Sequence, residues 1–277
     1  MSTQSPGAST YVLGHADVEV QRLLLQGRLY NDHTEHALRL AGLREGMRVL
    51  DVGCGPGEVS FVAARLVGPT GTVVGIDAAA DVVELARTRA AERDLSAVSF
   101  QHTTIAELTL DEPVDAVIGR LILMHLPDPV ATLRQLASLV RPGGIIAFSE
   151  NDITAARSIP VLPEFQAVTD GITESFRALG LDPAFGTMLH SLFQRAGLPA
   201  PRLTSGAPVG GANDADLLAY AVEVWRLMLP VAQQLGLVTD ELADLETLLP
   251  TWRKELAAAN AIMVMPPLIT AWSRLPG

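Results

Sequence analysis

The chain has 277 residues, 48% of them hydrophobic and 18% charged, with a formal net charge of −11. That composition excludes wholesale disorder, and the acidity excludes the basic footprint that a nucleic-acid groove or an anionic membrane surface calls for. One cysteine, Cys54, cannot form an intramolecular disulfide and suits a reducing cytoplasm, and six scattered histidines with one cysteine make no metal site.

No basic-then-apolar leader opens the sequence. Polar residues interrupt every apolar run well before the ~18 residues of a membrane span. Residues 1–10 are small and polar and read as a frayed tail. From Asp17 to Leu43 the pattern is helical in two segments, with a break expected near Asn31-Asp32. Strands and helices then alternate, which predicts a parallel, doubly wound α/β sheet. The strands fall at Val49–Val52, Thr72–Ile76, Val98–Gln101, Val114–Ile118 and Ile145–Ser149, the last preceded by the turn Arg141-Pro142-Gly143-Gly144. Their helices run over Glu58–Val67, Asp81–Arg93 and Asp128–Val140. These strands are apolar nearly throughout, as when helices cover both faces. Beyond Asp152 the spacing predicts helices over residues 163–180, 187–196, 213–229 and 240–259. Residues 201–209 read as a strand running into Gly210-Gly211, and Ala261–Met265 and Leu268–Trp272 as extended segments joined by Pro266-Pro267.

The first strand ends in Asp51-Val52-Gly53-Cys54-Gly55-Pro56-Gly57. Glycines without a Cβ let backbone approach a ligand closely, and the N–H groups of the following helix point at it. A dinucleotide fingerprint needs G-x-G-x-x-G, but its third position falls on Glu58. The spacing is G-x-G-x-G with an acidic residue two positions earlier. This resembles motif I of the class I S-adenosylmethionine (SAM) methyltransferases, residue for residue. The resemblance implies a seven-stranded Rossmann-like sheet. It also implies one domain with core residues 37–151, 187–212 and 260–277, capped by an all-helical lid of 1–36, 152–186 and 213–259.

Ligands of such sheets sit past the carboxyl ends of the strands. By the resemblance, Gly53, Gly55 and Gly57 hold the methionine portion of SAM, and Asp51 steadies the loop or, through water, the amino group. Asp77 accepts the ribose hydroxyls, and Ala78 flanks adenine. After the third strand the family often carries Gly-Asp. Here Thr103-Thr104 stand instead, leaving Thr104 to hydrogen-bond and Ile105 to cover adenine. Arg120 contacts the methionine carboxylate or lends only its backbone. Tyr11 and Gln26, in a lead-in resembling that of a bacterial subgroup, touch the cofactor or merely pack.

His125, which titrates near neutrality, is the candidate base, although a helix-start histidine that only packs is an equal reading. Methyl transfer from a sulfonium needs little beyond alignment. Glu150, Asp152, His33 and His36 are lesser candidates, and Cys54 is a loop filler or a reactive thiol. The lid segments carry Phe165, Phe176, Phe185, Met188, Trp225, Met228, Met263 and Met265. That stripe is core, or it is the wall of a pocket for a small, largely apolar acceptor methylated at O, N or C, as in secondary metabolism. Two alternatives stay open: a SAM-binding enzyme that performs a cyclisation or rearrangement, and an NAD-dependent oxidoreductase, which the loop spacing disfavours. A homodimer also stays open.

Overall fold

Strands and helices alternate from Arg48 to Asn151 and build one side of a seven-stranded sheet, in a computed structural model that describes residues 17–277. Helix α1 (Asp17–Ala41) precedes it. Then come β1 (Arg48–Val52), α2 (Glu58–Val67), β2 (Thr72–Asp77), α3 (Ala80–Ala91), β3 (Val98–His102), β4 (Val114–Arg120), α4 (Pro129–Ala137) and β5 (Val140–Asn151). The second half holds β6 (Arg157–Ile159), α5 (Pro163–Ala178), α6 (Leu189–Arg195), β7 (Arg202–Gly206) and β8 (Val209–Gly210). It closes with α7 (Ala215–Gln234), α8 (Asp240–Ala243), α9 (Leu245–Ala259), β9 (Ile262–Val264) and β10 (Leu268–Arg274).

The large sheet has the order β3-β2-β1-β4-β5-β10-β7. Strands β1 to β5 run parallel, and β10 is antiparallel to both β5 and β7. The order reverses between β1 and β4, so the carboxyl ends of these two strands flank the crevice where such folds bind ligands. Both faces are covered. Val62, Val83 and Ala86 pack on one, and Leu133, Leu192 and Phe193 on the other. The continuous apolar runs of the strands follow from this double burial.

Four expectations are corrected. The first helix does not break at Asn31-Asp32, because the Asn31 side chain is engaged by Glu58 and Arg120 instead of competing with its own backbone. It stops at Gly42, whose φ of +100° suits a residue without a Cβ. The fifth strand begins five residues early, at Val140. Its Arg141-Pro142-Gly143-Gly144 segment bulges out between the pairs Val114↔Val140 and Ala116↔Ile145.

The 201–209 strand splits, β7 joining the large sheet and β8 a second one. That second sheet, β6-β9-β8, also takes the 262–264 segment away from the main sheet and places a strand at 157–159, so the cap is not all helical. Strands of two or three residues carry no readable alternation, and Pro266-Pro267 lack the N–H groups to continue a ladder.

The cap has its own core, centred on Tyr30, Phe165, Trp225, Trp252 and Met263. Trp225 is fully buried and donates Nε1–H to the Leu242 carbonyl at 2.8 Å. A Cβ on Gly171 would lie 2.9 Å from its ring, so α5 and α7 meet at a glycine. Phe185 and Met188 lie instead under the far face of the main sheet. No helix among the described residues is long and apolar enough to cross a membrane.

Candidate functional site

A cavity of about 880 Å³ lies between the carboxyl ends of β1, β2 and β4 and the cap. Its floor is the loop Gly53-Cys54-Gly55-Pro56. Cys54 N–H bonds the Ile76 carbonyl at 3.0 Å, which fixes the loop against β2. Gly55 has φ +51°, and a Cβ built there would meet nothing within 4 Å, so its backbone faces open space. That is a cradle for a ligand. Gly57 also has positive φ, at +90°, but a Cβ there would strike Phe61 and Phe100. Gly57 therefore serves packing at the start of α2 and does not line the cavity.

Asp77 ends β2 on the cavity wall. Its Oδ2 accepts Gly55 N–H and its Oδ1 accepts Ala79 N–H, each at 3.0 Å. Each carboxylate oxygen keeps a further lone pair for a ligand hydroxyl. Ala78, Thr104 and Ile105 line the same end. Thr104 donates its hydroxyl to Glu107 at 2.9 Å. Asp51 does not reach the cavity. It is buried, it accepts the Ser60 hydroxyl at 2.6 Å, and its Oδ1 has no partner. Burial pushes its carboxyl up to about 7 against the pull of that hydrogen bond.

Arg120, at the end of β4, is buried on the cavity wall. Its Nη1 donates to Asn31 Oδ1 at 2.9 Å and to Thr34 Oγ1 at 3.0 Å. Both are neutral, and no carboxylate among the described residues pairs with it within salt-bridge distance. Burial lowers its pKa, with Glu58 and Asp51 opposing through space. An uncompensated cation facing a cavity is a seat for an anion. Asn31 Nδ2 in turn donates to Glu58 at 2.7 Å, and Glu58 pairs with Arg89, which also bonds the Pro56 carbonyl. This network underpins the glycine loop. Glu58, the residue that breaks the dinucleotide pattern, is thus structural, and its distant partners Asn31 and Arg89 are not readable from sequence spacing.

The segment after β4 is Leu121 to His125. Leu121 sits at φ +55°, an unusual conformation for a branched side chain. Glu150 compensates: its Oε1 accepts Ile122 N–H at 3.0 Å and Leu123 N–H at 2.8 Å from beneath. His125 lines the cavity, and burial, with Arg22 nearby, pushes its pKa down to about 4. Its imidazole is therefore neutral at pH 7 and is a weaker base than an unperturbed histidine. Burial likewise raises the Cys54 thiol, so Cys54 behaves as a filler.

Glu19, Arg22, Leu23 and Gln26 form one stripe of α1 on the cavity wall, where Arg22 and Glu19 pair at 2.7 Å, both buried. Gln26 was legible in the sequence as a cofactor-side candidate, whereas Glu19 and Arg22 were not. Gln26 Nε2 donates to the Tyr220 hydroxyl at 3.0 Å. Phe165, Phe176, Met228 and Met265 line the cavity from the cap, whereas Trp225 and Met263 are core only. His33 packs beside Gly206, His36 is exposed and Asp152 caps a short turn; none of them lines the cavity. Tyr11 lies outside the described residues. No cluster of three or more metal-type side chains occurs among the described residues.

Burial also pushes the Glu150 carboxyl up to about 8. Glu150 and Asp51 are raised above their unfolded values, so the native state keeps protons that the unfolded chain has released. Their contribution to stability is complete below the ordinary carboxylate values of about 4 and is lost progressively as pH rises from there to about 7 for Asp51 and about 8 for Glu150. The lowered histidine works in the opposite sense, but only below the ordinary histidine value of ~6.5. The thermal midpoint is therefore expected to fall between roughly pH 6.5 and 8.5. Glu150→Gln keeps a carbonyl oxygen for the two N–H groups and removes most of that fall. An equal fall in the variant would show that Glu150 titrates in the ordinary range.

Comparison with known proteins points the same way as this geometry. Residues 43–183 match the family described as a methyltransferase domain. The chain is 37% identical over 154 residues to aklanonic acid methyltransferase DauC of Streptomyces sp. (strain C5), covering 52% of this chain and 69% of that protein. It is 39% identical over 113 residues to the ubiquinone biosynthesis O-methyltransferase of Xanthomonas campestris pv. campestris (strain B100), covering 40% of this chain. The matched region spans only 46% of that relative's length. Among solved structures, phospholethanolamine N-methyltransferase 2 of Haemonchus contortus, in complex with phosphomonomethylethanolamine and S-adenosylhomocysteine, aligns with a TM-score of 0.60 at 14% identity. That alignment covers 98% of this chain and 61% of that one, and the likeness is one of fold.

Proposed function

The chain belongs to the class I SAM-dependent methyltransferase family, and from that premise we propose that its cavity holds SAM and presents it to a small, largely apolar acceptor. The observation that carries this reading is the division of the cavity. Gly55, Asp77 and the buried Arg120 stand at the end formed by the sheet, and apolar cap side chains close the other.

The residues fit the cofactor. Arg120 offers an uncompensated guanidinium for the methionine carboxylate, Asp77 lone pairs for the ribose hydroxyls, and Ile105 and Ala78 an apolar slot for adenine. Asp51 acts from behind the loop through Ser60. When bound, SAM supplies a methyl group already activated on a sulfonium. The protein's task is then to orient the acceptor and exclude water, and alignment alone accounts for much of such a rate. His125, neutral at pH 7, accepts a hydrogen bond from an acceptor O–H or N–H. The relatives named for aklanonic acid and for ubiquinone biosynthesis support a small organic acceptor of secondary metabolism.

Incubation with methyl-labelled SAM and a panel of lipophilic phenols, amines and enolisable ketones tests this proposal. Label is expected in an organic-extractable product. Label that stays in SAM while an acceptor rearranges would assign the cavity to cofactor-assisted chemistry without transfer.

A further inference from the structure

The cavity wall carries several polar side chains, and one contact among them joins α1 to α7. Gln26 and Tyr220 meet there at 3.0 Å, 194 positions apart in the chain, and both line the cavity. Tyr220 is 3% exposed and Gln26 7%, so neither finds bulk water. A phenol has one proton to donate and two lone pairs to accept with. Gln26 Nε2–H occupies a lone pair, and the Tyr220 proton has no acceptor among the described residues. Gln26 Oε1 accepts no hydrogen bond there either. The neighbouring Tyr30 cannot supply one, because its hydroxyl donates to the Pro266 carbonyl at 2.8 Å. Tyr30 and Tyr220 instead meet ring edge to face, with centroids 6.1 Å apart, which holds the Tyr220 ring.

Buried polar groups left without partners are costly, and a donor beside an acceptor on a cavity wall is a recognition element for a ligand that offers the complement. The position is informative. Tyr220 shares the cavity-lining side of α7 with Val224 and Met228, at four-residue spacing, so it is the polar member of an apolar cap stripe. On the cap side, Val224 and Met228 on α7 and Phe165 and Ile172 on α5 offer only apolar surface.

We propose that Tyr220 and Gln26 form a hydroxyl-binding subsite that selects apolar acceptors carrying an O–H group, phenols and enols above all. The acceptor hydroxyl oxygen accepts a hydrogen bond from the Tyr220 O–H and donates its own O–H to Gln26 Oε1. Tyr220 fixes specificity, and Gln26 positions it. The inference rests on the proposed function, since it places the acceptor in the cap half of a cavity whose other half holds the cofactor.

The test is calorimetric, on the full chain saturated with S-adenosylhomocysteine, titrated with 1-naphthol and with 1-methylnaphthalene, which has nearly the same shape and no hydroxyl. The wild type is expected to bind 1-naphthol about tenfold more tightly, the combined effect of two modest hydrogen bonds. Tyr220→Phe keeps the ring and its contact with Tyr30, and is expected to bring the two probes within about twofold while S-adenosylhomocysteine binds as before. Gln26→Met, which leaves the phenol in place, is expected to keep part of the preference. A wild type that binds both probes equally, or neither, overturns the proposal. So does a Tyr220→Phe protein that keeps the preference. A Tyr220→Phe protein that loses S-adenosylhomocysteine affinity with the preference intact moves the hydroxyl into the cofactor site and overturns it as well. Failure of the wild type to bind S-adenosylhomocysteine appears before any probe is added; it refutes the proposed function itself and this inference with it.

Discussion

Arg120→Met is expected to weaken S-adenosylhomocysteine binding by about a hundredfold while leaving the unliganded protein at least as stable as the wild type. Removing one member of a buried, hydrogen-bonded charge pair costs about 2–5 kcal/mol, and tenfold in affinity is about 1.4 kcal/mol. The same residue stabilises the empty protein little. Among the described residues its guanidinium bonds the neutral Asn31 and Thr34, and burial disfavours its charge. Replacing such a group by an apolar side chain of similar length is commonly neutral or stabilising. The two readouts therefore move apart, as they do when a residue is held for a ligand. A lowered thermal midpoint with unchanged affinity would make Arg120 a structural residue and would place the carboxylate elsewhere.

Asp77→Ala is expected to cost as much or more. Two hydrogen bonds from ligand hydroxyls to a carboxylate are worth about 1.5–3 kcal/mol each. The substitution also strips Gly55 and Ala79 of the acceptors for their N–H groups, so the loop loses one of its anchors to β2 and keeps the Cys54–Ile76 backbone bond. Asp77→Asn separates the two effects. It keeps the volume and one oxygen but turns an amide NH₂ toward a backbone N–H, and an intermediate loss of at least about tenfold follows. Titration with S-adenosylhomocysteine reads all three proteins on one scale. Wild-type affinity in Asp77→Ala would mean that the ribose is held by another group.

Much of the fold was legible because burial on both faces leaves a plain mark. The runs Val49–Val52 and Val114–Ile118 are apolar apart from Asp51 and Asp115 and show no regular alternation, as covered parallel strands do. The glycine loop was legible for a similar reason, since Gly53, Gly55 and Gly57 all take positive φ, which few other residues accept. The strands of the cap sheet were not legible, because pieces as short as Val209–Gly210 have no period to detect.

Within the candidate site, the rule that ligands sit past strand ends selected Asp77 and Arg120 before any coordinates. The motif I resemblance added Asp51, to steady the loop or to reach the amino group through water, and the structure holds it behind the loop, away from the cavity. What escaped were residues whose meaning depends on distant partners. Tyr220 looks like one more apolar position of α7 until Gln26 is found against it. Arg22 and Glu19 look like surface charges until the cap covers them.

The wild-type titration against which these variants are read is also the most direct test of the central claim, that this cavity is a SAM site. S-adenosylhomocysteine is expected to bind at one site per chain with micromolar affinity, and NADH not at all. Binding of NADH without S-adenosylhomocysteine would contradict the account.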